Sequence, residues 1–242
     1  MYNFGHMPLE TITDAGLARA RRTWRIKNAA FLVVLAAMLI GGSGRAGWVA
    51  GWAYILVATA GPIGTYLVLS KKSPDLLVER SKLQSGTKAW DKVIAPLIAG
   101  LLPLATLVVA ALDARFAWSA VAWPYQAAGF VALPLGILTM IRAMAANRFF
   151  AATVRIQKER EHRVVSDGPY ATVRHPGYVG LIVYMLGTPL ALGSRYAMIP
   201  AGLCAALVVL RTALEDRTLQ HELDGYAEYA QQVRWRLVRR VW

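Results

Sequence analysis

The sequence predicts an all-α, polytopic helical membrane protein of about six transmembrane segments in three hairpins, with both termini cytoplasmic. Three observations predict it. Of 242 residues, 56% are hydrophobic and only 17% are charged, so the apolar excess has to face something other than water. Six stretches carry no charge: 28–44, 46–70, 93–112, 116–141, 176–194 and 196–210. Crossing a hydrocarbon core takes about 20 helical residues, with about 17 as the lower end. The first stretch is therefore marginal, the next four adequate, and the last short unless it continues past Arg211. The basic residues give the third observation. With the N-terminus inside, 24 of the 27 Lys and Arg fall on the inner side, and only Arg45, Arg115 and Arg195 fall outside.

Taken in order, stretches one and two form a hairpin closed by the glycine-rich 41–47. The long basic region and the missing small-x-small site after Ile40 argue for a retained helix rather than a cleaved leader. A polar loop, 71–92, follows, and its Ser73-Pro-Asp75 reads as a helix start with Pro74 in the first turn. The chain thus divides into an N-terminal part, 1–92, and a membrane domain, 93–242, with polar segments on its inner side. Stretches three and four close near 113–115, and Pro124 suits the first turn of the fourth helix. The longest polar stretch, 147–175, precedes the third hairpin, which turns at 193–196. Beyond Leu210 the pattern becomes amphipathic, with Leu214, Leu219 and Leu223 on one face, and Gly225 interrupts it. A tail with Trp235 and Trp242 among arginines suits the headgroup level.

The +13 net charge reads as a topology signal and an attraction to an anionic inner leaflet. Nucleic-acid binding would need an exposed basic face on a soluble domain. Cys204 stands alone in an apolar stretch, which excludes an intrachain disulfide, and no metal-ligand spacing occurs. Gly42-Ser-Gly-Arg-Ala-Gly47 matches a dinucleotide fingerprint only literally. No Asp or Glu occurs between Gly47 and Pro74, so it reads as a tight turn, and Gly47 to Gly51 as a close helix contact at most.

Two clusters carry possible chemistry. Pro176 suits the first turn of a helix with His175 near its N-cap, which leaves free N–H groups as an anion site beside Tyr170 and Tyr178. Interfacial tyrosines around an ordinary cap would look the same. Arg211 and Glu215 lie four apart on one helical face. They read either as an intrahelical ion pair or as functional charges at a membrane boundary, Glu215 meeting a cofactor's positive end and Arg211 an anionic head group. Asp216 and Arg217 are expected to face solvent.

His162-Arg-Val-Val165, Gly168-Pro-Tyr170, Arg174-His-Pro-Gly-Tyr178, Arg211-x-x-x-Glu215-Asp-x-x-Leu219 and Tyr226-x-x-Tyr229 together resemble the isoprenylcysteine carboxyl methyltransferase family, which is related to the phospholipid methyltransferases. The resemblance covers roughly residues 123–242. It implies a membrane enzyme that uses S-adenosylmethionine without a Rossmann domain. Carried over, His162, Val165, Tyr170, His175, Pro176, Gly177, Tyr178 and Glu215 would line the cofactor site. Arg211 would face the substrate, and Arg211 with Glu215 would serve catalysis. Three features depart from the family pattern. Asp216 replaces the second Glu of a Glu-Glu pair, Leu223-Asp-Gly225 replaces a Phe-Gly, and Arg155 stands where glutamine is expected, with Gln157 nearby.

The expected function is S-adenosylmethionine-dependent methyl transfer to a lipid-like or isoprenylated acceptor, with carboxyl O-methylation favoured by Arg211. The expected location is a bacterial-type plasma membrane with the site facing the cytoplasm, and no metal or nucleic acid is expected. Phospholipid N-methylation is one alternative. A second is an NADPH-dependent enzyme like the membrane sterol reductases, which share an Arg-His-Pro-x-Tyr corner but carry other residues at Gly177 and Leu181. A third is a non-enzymatic haem or transport component, which would want His or charged residues within the spans. All four His lie outside them or at a helix end.

Overall fold

In the computed structural model, which describes residues 14–72, 76 and 86–242, seven α-helices can be bounded among the described residues, and no strand occurs among them. Helix α1 spans Asp14–Ala36 and runs on through a π turn, Ala37–Gly41. Helix α2 spans Val49–Lys72, α3 Asp91–Phe116, α4 Trp123–Ala146, α5 Pro176–Leu192, α6 Met198–Glu222 and α7 Tyr226–Gln232. Within α3 a π segment, Leu97–Leu101, follows Pro96, whose ring nitrogen has no hydrogen to donate to the regular ladder. The expected helix start at 73–75 lies outside the described residues.

Among the described residues, five helices are long and apolar enough to cross a membrane: Arg21–Gly41 of α1, and α2, α3, α4 and α6. The protein is an integral membrane protein, and the short helix is not the one that the uncharged stretches suggest. Helix α6 has 25 residues, because it continues through Arg211 to Glu222. Helix α5 is the short one, with 17. It stops where Gly193 adopts φ +77° and the N–H groups of Gly193 and Ser194 turn back onto the carbonyls of Leu190 and Pro189. The α3–α4 turn also comes later than expected, since α3 keeps Asp113 and runs to Phe116.

Helices α4 and α5 form the tightest pair. Gly129 and Gly136 are seven apart on α4, and Gly180 and Gly187 are seven apart on α5. A Cβ on Gly129 would lie 2.3 Å from the Ala191 nitrogen, and one on Gly136 would lie 2.6 Å from the Gly180 oxygen. Without a hydrophobic drive between helices in lipid, such backbone-to-backbone packing supplies the association. The contact expected around Gly47 is absent among the described residues. A Cβ there meets nothing within 4 Å, and one on Gly51 meets Trp48 of the same segment.

Polar anchors fix the bundle at several depths. The Tyr54 and Tyr184 hydroxyls lie 3.0 Å apart between α2 and α5, with Thr188 beside them. At the end remote from the basic segments, buried Asp113 accepts from the Ser119 N–H and hydroxyl and from the Ser194 hydroxyl. That one carboxylate ties the α3–α4 connection to the α5–α6 turn. The opposite, basic end carries the 147–175 segment, α7 and the tail. Cys204 is free and fully buried in α6, as a small apolar side chain would be.

Candidate active site

At the basic end the sequence Arg174-His175-Pro176 enters α5, and Pro176 takes the first helical turn as expected. The His175 side chain makes no capping bond there. Its ring turns inward, 3.3 Å from Asp216 on α6. Asp216 is fully buried, contrary to its expected solvent exposure. Arg174 donates Nε to Oδ1 at 2.8 Å and Nη2 to Oδ2 at 2.9 Å. Tyr226 donates its hydroxyl to Oδ1, and Gln220 and the Arg236 Nε donate to Oδ2.

Each Asp216 oxygen is thus met by three polar groups, which saturates an acceptor with about four lone-pair sites. Arg174 also donates Nη1 to the carbonyls of Ala230, Val233 and Arg234. The Arg174 and His175 N–H groups donate to the Trp235 and Arg236 carbonyls at 2.8 and 2.9 Å. Asp216 therefore gathers the start of α5, the start of α7 and the following tail onto α6.

One turn back on α6, Arg211 and Glu215 do not pair with each other. Arg211 donates Nε and Nη2 to the two oxygens of buried Asp91, at 2.8 and 2.9 Å, and Nη2 also to the Ala152 carbonyl. The same Asp91 accepts the Val154 N–H, so the first residue of α3 locks the polar segment to α6. No hydrogen bond is made by the Arg211 Nη1 among the described residues, and the guanidinium lies over the Tyr178 ring, 5.5 Å from its centroid. The Tyr178 hydroxyl donates a hydrogen bond to the Glu215 Oε2. The Tyr178 ring in turn lies parallel to that of His175, 5.8 Å between centroids. The charges divide by partner: Asp216 is filled by protein donors, whereas Glu215 has a single one among the described residues.

The polar segment closes the other side. His162 accepts the Gln157 N–H at Nδ1 and packs its ring 4.6 Å from Phe149. Burial, with the nearby Arg160 and Arg155 cations, lowers its pKa from 6.5 to about 4. It is therefore neutral near pH 7, with Nε2 carrying the hydrogen. Tyr170 receives an Asn147 side-chain hydrogen bond, and burial raises its pKa. Burial also pushes Tyr229 up to about 12, and its hydroxyl donates to the Tyr170 carbonyl. Gln157 is buried, donating to the Phe149 carbonyl, and it is Arg155 that lines the cavity.

These elements surround a cavity of about 300 Å³. His162, Val165, Tyr170, His175, Gly177, Tyr178, Arg211 and Glu215 line it; Pro176 does not. A Cβ on Gly177 would come 2.5 Å from the Phe150 ring, so glycine lets that ring close the wall. Sequence reasoning missed Asp91 and misjudged Asp216. Each shows in the sequence only as an acidic residue beside an apolar stretch; Asp91 finds its partners far along the chain, and Asp216 has Gln220 alone at helical spacing.

Residues 129–221 match the isoprenylcysteine carboxyl methyltransferase (ICMT) family. A probable protein-S-isoprenylcysteine O-methyltransferase of Oryza sativa subsp. indica is 29% identical over 119 residues, which is 46% of this chain and 60% of that protein. The protein-S-isoprenylcysteine O-methyltransferase of Schizosaccharomyces pombe is 39% identical over 71 residues, 29% of this chain and 30% of its own length. The aligned stretch thus spans no more than 60% of these curated relatives. They are eukaryotic and lend no support to a bacterial location. In fold, the chain is similar to the solved eukaryotic intramembrane Ras methyltransferase ICMT, with a TM-score of 0.58 at 22% identity, over 85% of this chain and 73% of that one. The motifs of 162–229 are thus arranged around one cavity in a chain that is similar to the isoprenylcysteine carboxyl methyltransferase family over residues 129–221.

Proposed function

We propose that the protein transfers a methyl group from S-adenosylmethionine to the carboxylate of an isoprenylated, lipid-borne acceptor at the cytoplasmic face of a plasma membrane. One observation carries the reading. Glu215 and Arg211 lie a helical turn apart, line the same cavity, and are kept from neutralising each other by Tyr178 and Asp91.

The donor set fits the cofactor. A singly bonded carboxylate and aromatic walls suit its positive end, and a neutral His162 with an unengaged Nε2–H suits a neutral heterocycle. His162, Val165, Tyr170, His175, Gly177, Tyr178 and Glu215 would hold it. When bound, it supplies an electrophilic methyl on a sulfonium. Arg211, through Nη1, would orient the acceptor carboxylate, and Asp91 would fix the guanidinium plane. A carboxylate arrives ionised, so the chain has no proton to remove. Its work is to align two opposite charges and exclude water. An amine acceptor would arrive protonated and need a base, yet His175 is committed to Asp216, and Glu215 already takes the Tyr178 proton donor. That favours carboxyl over phospholipid amine methylation, as do the names of the relatives. The 24-to-3 distribution of basic residues supports the cytoplasmic placement of the site.

The test is calorimetric titration of detergent-purified protein with S-adenosylmethionine, S-adenosylhomocysteine and NADPH, followed by labelled-methyl transfer to a farnesylated cysteine derivative. The first two should bind, NADPH should not, and the product should release labelled methanol in base. Binding of NADPH alone would overturn the reading. A base-stable methyl product would overturn the choice of a carboxyl acceptor.

A further inference from the structure

A second cavity, of about 400 Å³, lies between α1, α2 and α4. Thr23, Trp24, Lys27 and Phe31 follow one face of α1 along it. Ala58, Gly61, Pro62, Thr65 and Leu69 line it from α2. Helix α4 supplies Ile137, Met140, Ile141 and Met144. Its lining is apolar apart from Tyr184 of α5, whose hydroxyl is taken up with that of Tyr54, and from Thr23, Lys27 and Thr65 towards the basic end. There Trp24 stacks on Tyr66 with ring centroids 4.3 Å apart.

We propose that this groove binds one chain of an anionic glycerophospholipid from the leaflet at the basic end, with its head group held by Lys27. Length, charge and closure support that occupant. From Ala58 to Leu69 the groove follows α2 for about 16 Å, at about 1.5 Å per residue. That is the depth of one leaflet of a hydrocarbon core about 30 Å thick. The charge is one-sided. Residues 19–27 hold Arg19, Arg21, Arg22, Arg25 and Lys27, and no acidic residue occurs between Asp14 and Asp75. Met140 and Met144 line both this groove and the Glu215 cavity, so their side chains form a common wall. A separate lipid lies against that wall without crossing it, whereas an acceptor tail seated here would have to pass through it to reach Arg211.

The test uses the whole protein and brominated lipids as quenchers. Quenching of Trp24 is taken as the difference between the protein and its Trp24→Phe variant, with brominated phosphatidylglycerol against brominated phosphatidylcholine. Phosphatidylglycerol should quench at the lower mole fraction. Lys27 is exposed, so Lys27→Gln leaves the packing intact. It should weaken the phosphatidylglycerol effect about fivefold, the factor that one basic residue contributes at an anionic surface. In Gly61→Leu the added Cβ would sit at an ordinary 3.6 Å from Ile137, and the rest of the side chain would fill the groove. That variant should lose quenching by both lipids. Equal quenching by phosphatidylcholine, an unchanged Lys27→Gln, or quenching that survives Gly61→Leu would overturn the proposal. Displacement of phosphatidylglycerol by a farnesylated cysteine derivative would do so too, by giving the groove to the acceptor. No cofactor enters these measurements, so their failure leaves the methyl-transfer reading to its own test.

Discussion

Two adjacent acids on α6 should fail in opposite ways when neutralised. In Asp216→Asn the fully buried carboxylate loses its charge while Arg174 and Arg236 keep theirs. The new amide group also points donors at groups that are themselves donors. Breaking a buried ion pair on one side costs about 3–5 kcal/mol. For a chain of this size, about 2–4 °C of melting temperature follows each kcal/mol, so the midpoint should fall by about 6–20 °C. Glu215→Gln removes a charge that has one protein partner, and the Tyr178 hydroxyl can still donate to the amide oxygen. Its melting temperature should stay within about 2 °C of the parent, while affinity for S-adenosylmethionine drops about 10- to 100-fold, the size of a hydrogen bond to a charged group. The assays are thermal unfolding in detergent by circular dichroism, and calorimetry on the same preparations. An Asp216→Asn protein that melts with the parent would refute the anchoring role. A Glu215→Gln protein that binds the cofactor normally would refute the division of labour between the two acids.

Arg211→Ala should leave cofactor affinity nearly intact and abolish transfer to an anionic acceptor; a large loss of cofactor affinity in calorimetry would contradict its assignment to the substrate. His162 gives a pH signature. Its folded pKa of about 4 lies below the ordinary 6.5, so between those values the unfolded chain takes a proton that the folded ring refuses. Its contribution to stability is therefore flat above pH 6.5 and declines towards pH 4. Subtracting the melting profile of His162→Gln should isolate that slope, and identical profiles would remove His162 from the account. Gly180→Ala would place a Cβ 2.6 Å from the Gly136 oxygen, and overpacking of about 1–3 kcal/mol should lower the midpoint by several degrees. An unchanged midpoint would mean that α4 and α5 are not held at backbone distance.

Where the sequence was readable, the information was local. Uncharged stretches and sided arginines are properties of short windows, and they mark the spans, although α5 and α6 exchange their expected lengths. The Arg-His-Pro-Gly-Tyr corner was likewise visible because Pro176 dictates its own helical position. The ion pairs were not visible. Spacing on α6 offers Glu215 to Arg211, yet the partner is Asp91, 120 residues earlier. Asp216 reads as an exposed acid near a helix end, because all its partners but Gln220 come from outside α6, from Arg174 42 residues before it to Arg236 20 after. Only chain closure decides such pairings. The glycines at 129, 136, 180 and 187, which the sequence analysis did not single out, repeat at seven residues on each of two helices, and that rhythm alone does not say that the two faces meet.

The knot at Asp216 has a consequence for biogenesis. Its threads come from the entry to α5, from Tyr226 and from Arg236, and the last of these leaves the ribosome after every span has been made. A chain halted short of Tyr226 would own its bilayer crossings and the Arg211–Asp91 clasp, but not the closure that Tyr226 and Arg236 make at Asp216. Closure of this end around the cavity is thus a late event, separate from insertion of the spans.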